Sequence, residues 1–321
     1  MTKKASKLMI RVLLLLGTIF SFHFVPWPGV KAWIIPLPNT VQEQVDKVTD
    51  YGFDGIIVYV DKKGDKPAFY TSGYKNRENK IPADPHSLFK IASVSKLYTA
   101  VAITKLASDG HLCLDSSLAA YFPELVGRIE YAEKITVRLM VQLRSGIPNY
   151  TDTKNYWLHP KQNDKERLDL VLDLPANFKP NSGYGYSNTN YILLSKLIEN
   201  VTEESNFQYI KESILDPLYL RNTYGCVQDV NLNDVMSGYY VGYENDLKTA
   251  ASGGIFATAE DLGKFIRALN EGLVFKDINE QEVYTSIYKY EHTGLIPGYQ
   301  TIAKFHKDIC SSNSIYEHCE F

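Results

Sequence analysis

In Phe89-Lys90-Ile91-Ala92-Ser93-Val94-Ser95-Lys96-Leu97-Tyr98-Thr99-Ala100, small residues lead into Ser93, and Lys96 follows three positions later. Apolar residues then recur at Val94, Leu97, Val101 and, with Ala100 filling in, Leu106, close to the helical period. A helix whose first turn begins at Ser93 places the hydroxyl and the Lys96 ammonium on one face, because residues i and i+3 are neighbours there. A serine hydroxyl is a weak nucleophile until a base takes its proton. Lysine serves as that base only if its pKa is pulled well below the free value. The unpaired N–H groups of a helix amino terminus favour negative charge developing beside such a serine. The plain alternative for Ser93 is a helix cap.

Ser-x-x-Lys alone carries little, because the chain holds it four times, at Ser72, Ser87, Ser93 and Ser286. Ser72 falls at a turn-like Ser-Gly, and Ser87 follows Pro82-Ala83-Asp84-Pro85 in what reads as a loop. Ser286 lies in a Tyr-rich run, Val283 to Tyr290, that reads as strand, where i and i+3 point to opposite faces. Only Ser93 opens an apolar-periodic helix.

Outward from this stretch, Gly55 to Val60 and Ala68 to Ser72 are rich in strand formers and flank the turn-like Asp61 to Pro67, an antiparallel hairpin. Val41 to Asp50 reads as a short amphipathic helix. From Ser93 to Leu220 the pattern is mostly helical. Thr136 is placed to cap a helix through Leu143, and Tyr191, Leu194, Leu197, Ile198 and Val201 form another apolar stripe. Gly253-Gly254 breaks the chain. Thr258-Ala259-Glu260-Asp261 then resembles a capping box opening a helix with Leu262, Phe265, Ile266 and Leu269. Strand-like segments return at Val283 to Tyr290 and Thr301 to Phe305. The expected fold is α/β of the α+β kind. A mostly antiparallel sheet is built from both chain ends with flanking helices, and a helical lobe is inserted between them. The sheet lobe covers about 41–92 and 251–307, the helical lobe about 93–250.

Met1 to Lys7 is basic, Val12 to Val25 is apolar, and Pro26-Trp27-Pro28-Gly29 and Val30-Lys31-Ala32 follow. This is the layout of a secretory signal peptide over residues 1–32, cleaved after Ala32. The apolar run is short for a membrane span, so an uncleaved anchor is the alternative. Without those residues, 29 basic side chains face 37 acidic ones, a net charge of −8. That balance argues against nucleic acid or an anionic membrane surface as partner. Cys113, Cys226, Cys310 and Cys319 are scattered without metal-ligand spacing, and no structural dependence on a disulfide is expected. The expectation is an exported protein, periplasmic or extracellular, with no strong membrane association after cleavage.

Two more motifs follow in chain order. Phe178-Lys179-Pro180-Asn181-Ser182-Gly183-Tyr184-Gly185-Tyr186-Ser187-Asn188 is a Gly-rich approach to Tyr-x-Asn. In an extended loop Tyr186 and Asn188 line one wall together. A tyrosinate near a lysine can act as base or acid, and an amide can hydrogen-bond a substrate amide. His292-Thr293-Gly294 ends a strand-like run before Ile296-Pro297-Gly298, where glycine lets a ligand approach the backbone and a strand edge can pair with an extended substrate.

Ser-x-x-Lys at a helix start, then Tyr-x-Asn, then His-Thr-Gly on a strand, resembles the penicillin-recognising serine hydrolases. The likeness is to the branch of class C beta-lactamases, D-alanyl-D-alanine carboxypeptidases and related esterases. Ser145 to Tyr150, Tyr186 to Leu194, Ser252 to Leu269 and His292 to Gly298 also resemble family segments in family order. Carried over, the resemblance implies Ser93 as acylated nucleophile, Lys96 as its activating partner and Tyr186 as general acid/base. It implies Asn188 as a substrate-amide contact and the backbone N–H groups of Ser93 and Leu295 as oxyanion hole. His292, with Thr293 and Gly294, would face the substrate carboxylate where many relatives carry lysine; histidine is largely neutral above its free pKa.

The resemblance implies hydrolysis through an acyl-enzyme without metal or cofactor. The substrate is a small molecule or peptide: first a D-amino-acid cell-wall peptide, as for a D-alanyl-D-alanine carboxypeptidase, with weak beta-lactam turnover. The alternatives are a carboxylic-ester hydrolase and a non-catalytic penicillin-binding-type protein. In the family a further strand and a carboxyl-terminal helix follow the segment resembling Thr301 to Phe305. The atypical tail, residues 308–321, shows neither pattern, so a truncated chain of impaired activity is expected.

Overall fold

The structure, a computed structural model, describes residues 3–243, 245–250, 254–288 and 292–307. The apolar run near the start is a helix, α1 (Lys3–Ser21), whose described side chains are exposed. Its neighbourhood, Lys7–Phe24, is long and apolar enough to cross a membrane by length and composition. A second helix, α2 (Trp27–Ile34), follows. The third, α3 (Val41–Asp46), opens on a full capping box in which Thr40 Oγ1 accepts from Glu43 N and Glu43 Oε2 accepts from Thr40 N. It is shorter than expected, because the chain tightens into a 3₁₀ turn over Lys47–Tyr51 that Gly52 stops at φ 92°.

The expected hairpin forms. β1 (Gly55–Val60) pairs antiparallel with β2 (Ala68–Asn76), from Gly55 opposite Gly73 to Val60 opposite Ala68, and β3 (Ile81–Pro82) joins the other edge of β2. Next come β4 (Phe89–Lys90) and the central helix α4 (Ser95–Ser108). Ser93 therefore precedes the helix, inside a 3₁₀ turn over Ala92–Val94, and does not open it as expected. The cause is local. Ile91 N is held by the carbonyl of Ile255, Val94 N donates back to Ile91, and Ala92 takes φ 50°, so helical dihedrals are continuous only beyond the turn.

Short helices α5 (Leu118–Tyr121), α6 (Val137–Val141) and α7 (Asp164–Asp169) follow α4 in the chain. Thr136 caps α6 as expected, its hydroxyl accepting from Leu139 N at 3.3 Å. The apolar stripe of α8 (Asn188–Thr202) buries Tyr191, Leu194, Leu197 and Ile198, and α9 (Asn206–Ile210) follows. β5 (Thr223–Tyr224) and β6 (Phe256–Ala257) complete a small sheet in the order β4-β6-β5. Thr258 caps α10 (Ala259–Asn270) through Asp261 N. Asp261 itself turns away to accept from Asn222 N and Thr223 Oγ1. The chain continues through α11 (Ile278–Ile287) to the hairpin β7 (His292–Ile296) and β8 (Tyr299–Ala303).

Two further expectations fail. Residues 283–287 are the last turns of α11, not a strand. Asp277 accepts from Glu280 N to start the helix, and Glu280, Tyr284 and Ile287 bury one helical face at i, i+4 and i+7. Ser286 is thus helical, its hydroxyl donating to Val283 O and accepting from Arg138, while Lys289 lies outside the described residues. Nor, among the described residues, do the two chain ends share a sheet. Among the described residues the strands form three separate small sheets, and α10 packs on both β1 and β8. The fold class stands as expected, mixed α and β with small antiparallel sheets.

One apolar core runs from Ile91 to Ala303 and centres on α4, whose Leu97, Val101 and Ile103 are wholly buried. Each such side chain contributes about 1.5–3 kcal/mol. Tyr98 stacks on Phe265 of α10, ring centroids 3.8 Å apart. Cys113 and Cys226 are exposed and free; Cys310, Cys319 and the whole tail 308–321 lie outside the described residues.

Candidate active site

The turn carrying Ser93 is under conformational strain and tightly flanked. Ala92 sits in the left-handed region, which costs an L-residue about 1–2 kcal/mol, and it is 4% exposed. β7 lies against this turn. A Cβ on Gly294 would stand 2.3 Å from the Ile91 carbonyl oxygen and 3.0 Å from Ala92 Cβ, so only glycine permits the approach. Gly294→Ala is therefore expected to push β7 off the serine turn and lower turnover at least about 10-fold. The scale is set by what small misplacements cost a positioned site. Steady-state rates beside a melting curve check this; wild-type turnover in a folded variant would show that the close approach is dispensable.

Tyr186 reaches the same turn across 93 positions of sequence, its hydroxyl 2.6 Å from Ser93 Oγ. Lys96 Nζ lies 3.0 Å from Ser93 Oγ and donates to Asn188 Oδ1 at 2.8 Å. Ser93, Lys96, Tyr186 and Asn188 thus lie together. Lys96 is 6% exposed, and burial lowers its pKa from the ordinary lysine value to about 7. The faces of Tyr186 and Tyr191, 5.0 and 5.3 Å from Nζ, favour the cation but do not offset that desolvation. Tyr186 keeps an exposed ring, yet burial of its environment pushes the hydroxyl pKa up against the opposing pull of the Ser93 hydrogen bond. At neutral pH it holds its proton, so the tyrosinate considered from sequence is not the resting form.

Asn188 begins α8, and both ends of its amide are engaged. Oδ1 accepts from Lys96, while Nδ2 donates to Asn149 Oδ1 and Thr151 Oγ1, each at 3.3 Å. Asn149 also accepts from Asn188 N at 3.0 Å, and Ser187 and Thr189 donate their hydroxyls to Pro148 O. The Ser145–Tyr150 segment is thereby fastened to the start of α8. Asn149 lies within the family-like segment Ser145 to Tyr150. Its one local signal is a polar residue between Pro148 and Tyr150, and its partner is 39 positions away.

The glycines before Tyr186 pack on a ring: a Cβ on Gly185 would meet Phe178 Cε1 at 2.7 Å. In β7, Thr293, Gly294 and Leu295 stand opposite Ile302, Thr301 and Gln300, and Leu295 is 69% exposed. His292 is opposite Ala303, with its side chain outside what is described.

The family model described as beta-lactamase matches residues 38–289. The chain belongs to the beta-lactamase family. This is a family of serine hydrolases and penicillin-binding proteins, as the three motifs implied. Protein flp of Staphylococcus aureus (strain N315) is 29% identical over 195 residues, covering 58% of this chain and 39% of that protein. Penicillin-binding protein 4* of Bacillus subtilis (strain 168) is 25% identical over 261 residues, 73% of this chain and 56% of the relative. The chain thus spans about two fifths to just over half of the length of these relatives. Among solved structures, the D-amino acid amidase from Ochrobactrum anthropi SV3 superposes with a TM-score of 0.66 at 24% identity, over 75% of this chain and 73% of the amidase. That likeness shows the beta-lactamase-type fold.

Proposed function

We propose that this member of the beta-lactamase family is an exported serine hydrolase that forms an acyl-enzyme on Ser93. Its preferred substrates are D-amino-acid peptides of the D-alanyl-D-alanine type, and beta-lactams are turned over slowly. The observation that carries the reading is a serine hydroxyl within hydrogen-bond reach of both a desolvated lysine and a tyrosine.

The neutral Lys96 amine has two hydrogens and one lone pair. Donation to Asn188 Oδ1 uses one hydrogen and leaves the lone pair able to turn toward the Ser93 hydroxyl. Ser93 Oγ attacks the substrate carbonyl carbon as its proton passes to Lys96 Nζ. The carbonyl oxygen takes up the displaced electron pair beneath the N–H groups of Ser93 and Leu295. The C–N bond then breaks, and the amine leaves with a proton delivered through Tyr186 Oη. Water attacks the ester by the same route in reverse, releasing the acid and restoring the serine. In this scheme Asn188 acts chiefly on Lys96, and His292 and Thr293 receive the substrate carboxylate.

The penicillin-binding relative supports the D-peptide class, and the exposed apolar α1 supports export. The test is to incubate purified protein with a D-Ala-D-Ala peptide, a fluorescent penicillin and a chromogenic ester, beside Ser93→Ala. Release of D-alanine that Ser93→Ala abolishes is expected. Ester turnover without peptide cleavage would replace the peptidase by an esterase, and no reaction or labelling at all would leave a binding protein.

A further inference from the structure

A chain of hydrogen bonds runs from Lys96 to the loop of Asn149, and its far end fixes its direction. Lys96 Nζ donates to Asn188 Oδ1 at 2.8 Å. Asn188 donates twice to Asn149 Oδ1, from Nδ2 at 3.3 Å and from its backbone N–H at 3.0 Å. Asn149 Nδ2 in turn donates to Asp152 Oδ1 at 2.9 Å and to Thr151 Oγ1 at 2.7 Å. A carboxamide has a donor end and an acceptor end of nearly equal shape, so its partners decide which way it faces. For Asn149 both ends are decided by one-way groups, because a backbone N–H only donates and an ionised carboxylate only accepts. Reversing it would set its NH₂ against the Asn188 N–H and its oxygen against Asp152. Asn149 is 8% exposed, so water does little to relieve either clash.

We infer that Asn149 is a positioning residue for the proposed reaction: it holds the Asn188 amide with its oxygen, not its NH₂, toward Lys96. The inference rests on the reading of Ser93 as nucleophile and Lys96 as its base. With Asn149 in place, Asn188 Nδ2 finds its acceptors in Asn149 Oδ1 and Thr151 Oγ1. Its oxygen then takes one Lys96 hydrogen and leaves the amine lone pair for the Ser93 proton. A turned Asn188 would aim a donor at Lys96 and occupy that lone pair itself.

The two protonation states of Lys96 respond differently when Asn149 is lost. An ammonium has only hydrogens to offer, so it keeps the Asn188 oxygen toward it with or without Asn149. The neutral amine accepts either end of the amide, so the turned, unproductive form becomes populated. Stabilising a neutral form also lowers the pH at which it appears. The groups over Lys96 do not blur this signature. Tyr186 and Tyr191 face Nζ, with Tyr150 and Tyr288 next to them, and burial holds all four above the ordinary tyrosine value. Asp164 and Arg167, beyond Tyr150, pair with each other at 2.7 Å. Asp152 is the carboxylate bonded to Asn149.

The experiment follows the second-order rate at which a fluorophosphonate labels Ser93 in the full chain from pH 5 to 9, for wild type, Asn149→Ala and Asn149→Asp. Wild type is expected to rise to a plateau above the Lys96 pKa of about 7. Asn149→Ala should match wild type on the acid side but reach a plateau about 3- to 10-fold lower, the scale of one hydrogen bond deciding the orientation. The midpoint of its rise should fall by the matching half to one pH unit, roughly, since each unit is a factor of ten. Asn149→Asp still accepts from both Asn188 donors, so it should restore the plateau, with the midpoint unmoved or raised by the added charge. A loss by the same factor at every pH in Asn149→Ala gives Asn149 a merely structural role and overturns the inference. So does an unchanged profile, or a plateau in Asn149→Asp as low as in Asn149→Ala. Should Asn149→Ala not fold, Thr151→Val, which removes the other acceptor of Asn188 Nδ2, is judged by the same acid-side match and lowered plateau. All of these leave the serine hydrolase reading standing. No label on Ser93, or a wild-type rate flat across the range, removes that reading and the inference with it.

Discussion

Replacing Lys96 by alanine is expected to lower turnover at least about 10²-fold, the lower bound for removing a positioned general base. The same residue sets the pH dependence. Burial brings its pKa down to about 7, and only the neutral amine can accept the Ser93 proton. Below pH 7 the amine is protonated, so kcat/KM should fall about tenfold per pH unit. Above pH 7 it is neutral and the rate should level. An unburied lysine would place that rise near its ordinary value above pH 10. A pH profile of kcat/KM for wild type and Lys96→Ala checks both parts. A profile flat from pH 5 to 9, or near-wild-type turnover in a folded Lys96→Ala, would remove Lys96 from the role of base.

Tyr186→Phe should also cost at least about 10²-fold, by a different route. The substitution keeps the ring beside Lys96 but deletes the hydroxyl 2.6 Å from Ser93 Oγ. Because that hydroxyl holds its proton at neutral pH, its proposed task is to pass a proton to the departing amine. An amide, whose amine must be protonated to leave, should therefore suffer more than an ester with a stable phenolate leaving group. Comparing the losses on a p-nitrophenyl ester and on the matching peptide measures this. Equal losses on both would mean that Tyr186 acts on the serine and not on the leaving group.

Much of the site was legible because its signals are local. Ser93 and Lys96 are three residues apart, and the apolar period of 94–106 showed which Ser-x-x-Lys leads a buried helix. Tyr186 and Asn188 carry their own short motif, though nothing local says that they meet Ser93 and Lys96 more than 90 positions earlier. Only the order of the motifs implied it. Residues 283–287 read as strand because Val, Tyr and Ile suit one by propensity, while the deciding contact for the helix is the Asp277 cap on Glu280 N, outside the run. The single sheet failed for a related reason: pattern identifies strand formers but not their partners. β7 and β8 pair with each other, and α10 bridges them to β1. Asn149 was illegible as a site residue because it acts through a contact 39 residues away, at Asn188.

Covalent capture tests the central claim most directly. The protein is incubated with a serine-reactive fluorophosphonate or a penicillin, quenched, digested and mapped by mass spectrometry beside Ser93→Ala. A single adduct on the peptide holding Ser93, missing from Ser93→Ala together with turnover, is the expected result. An adduct on Ser72, Ser87 or Ser286, or hydrolysis that survives Ser93→Ala, would contradict it.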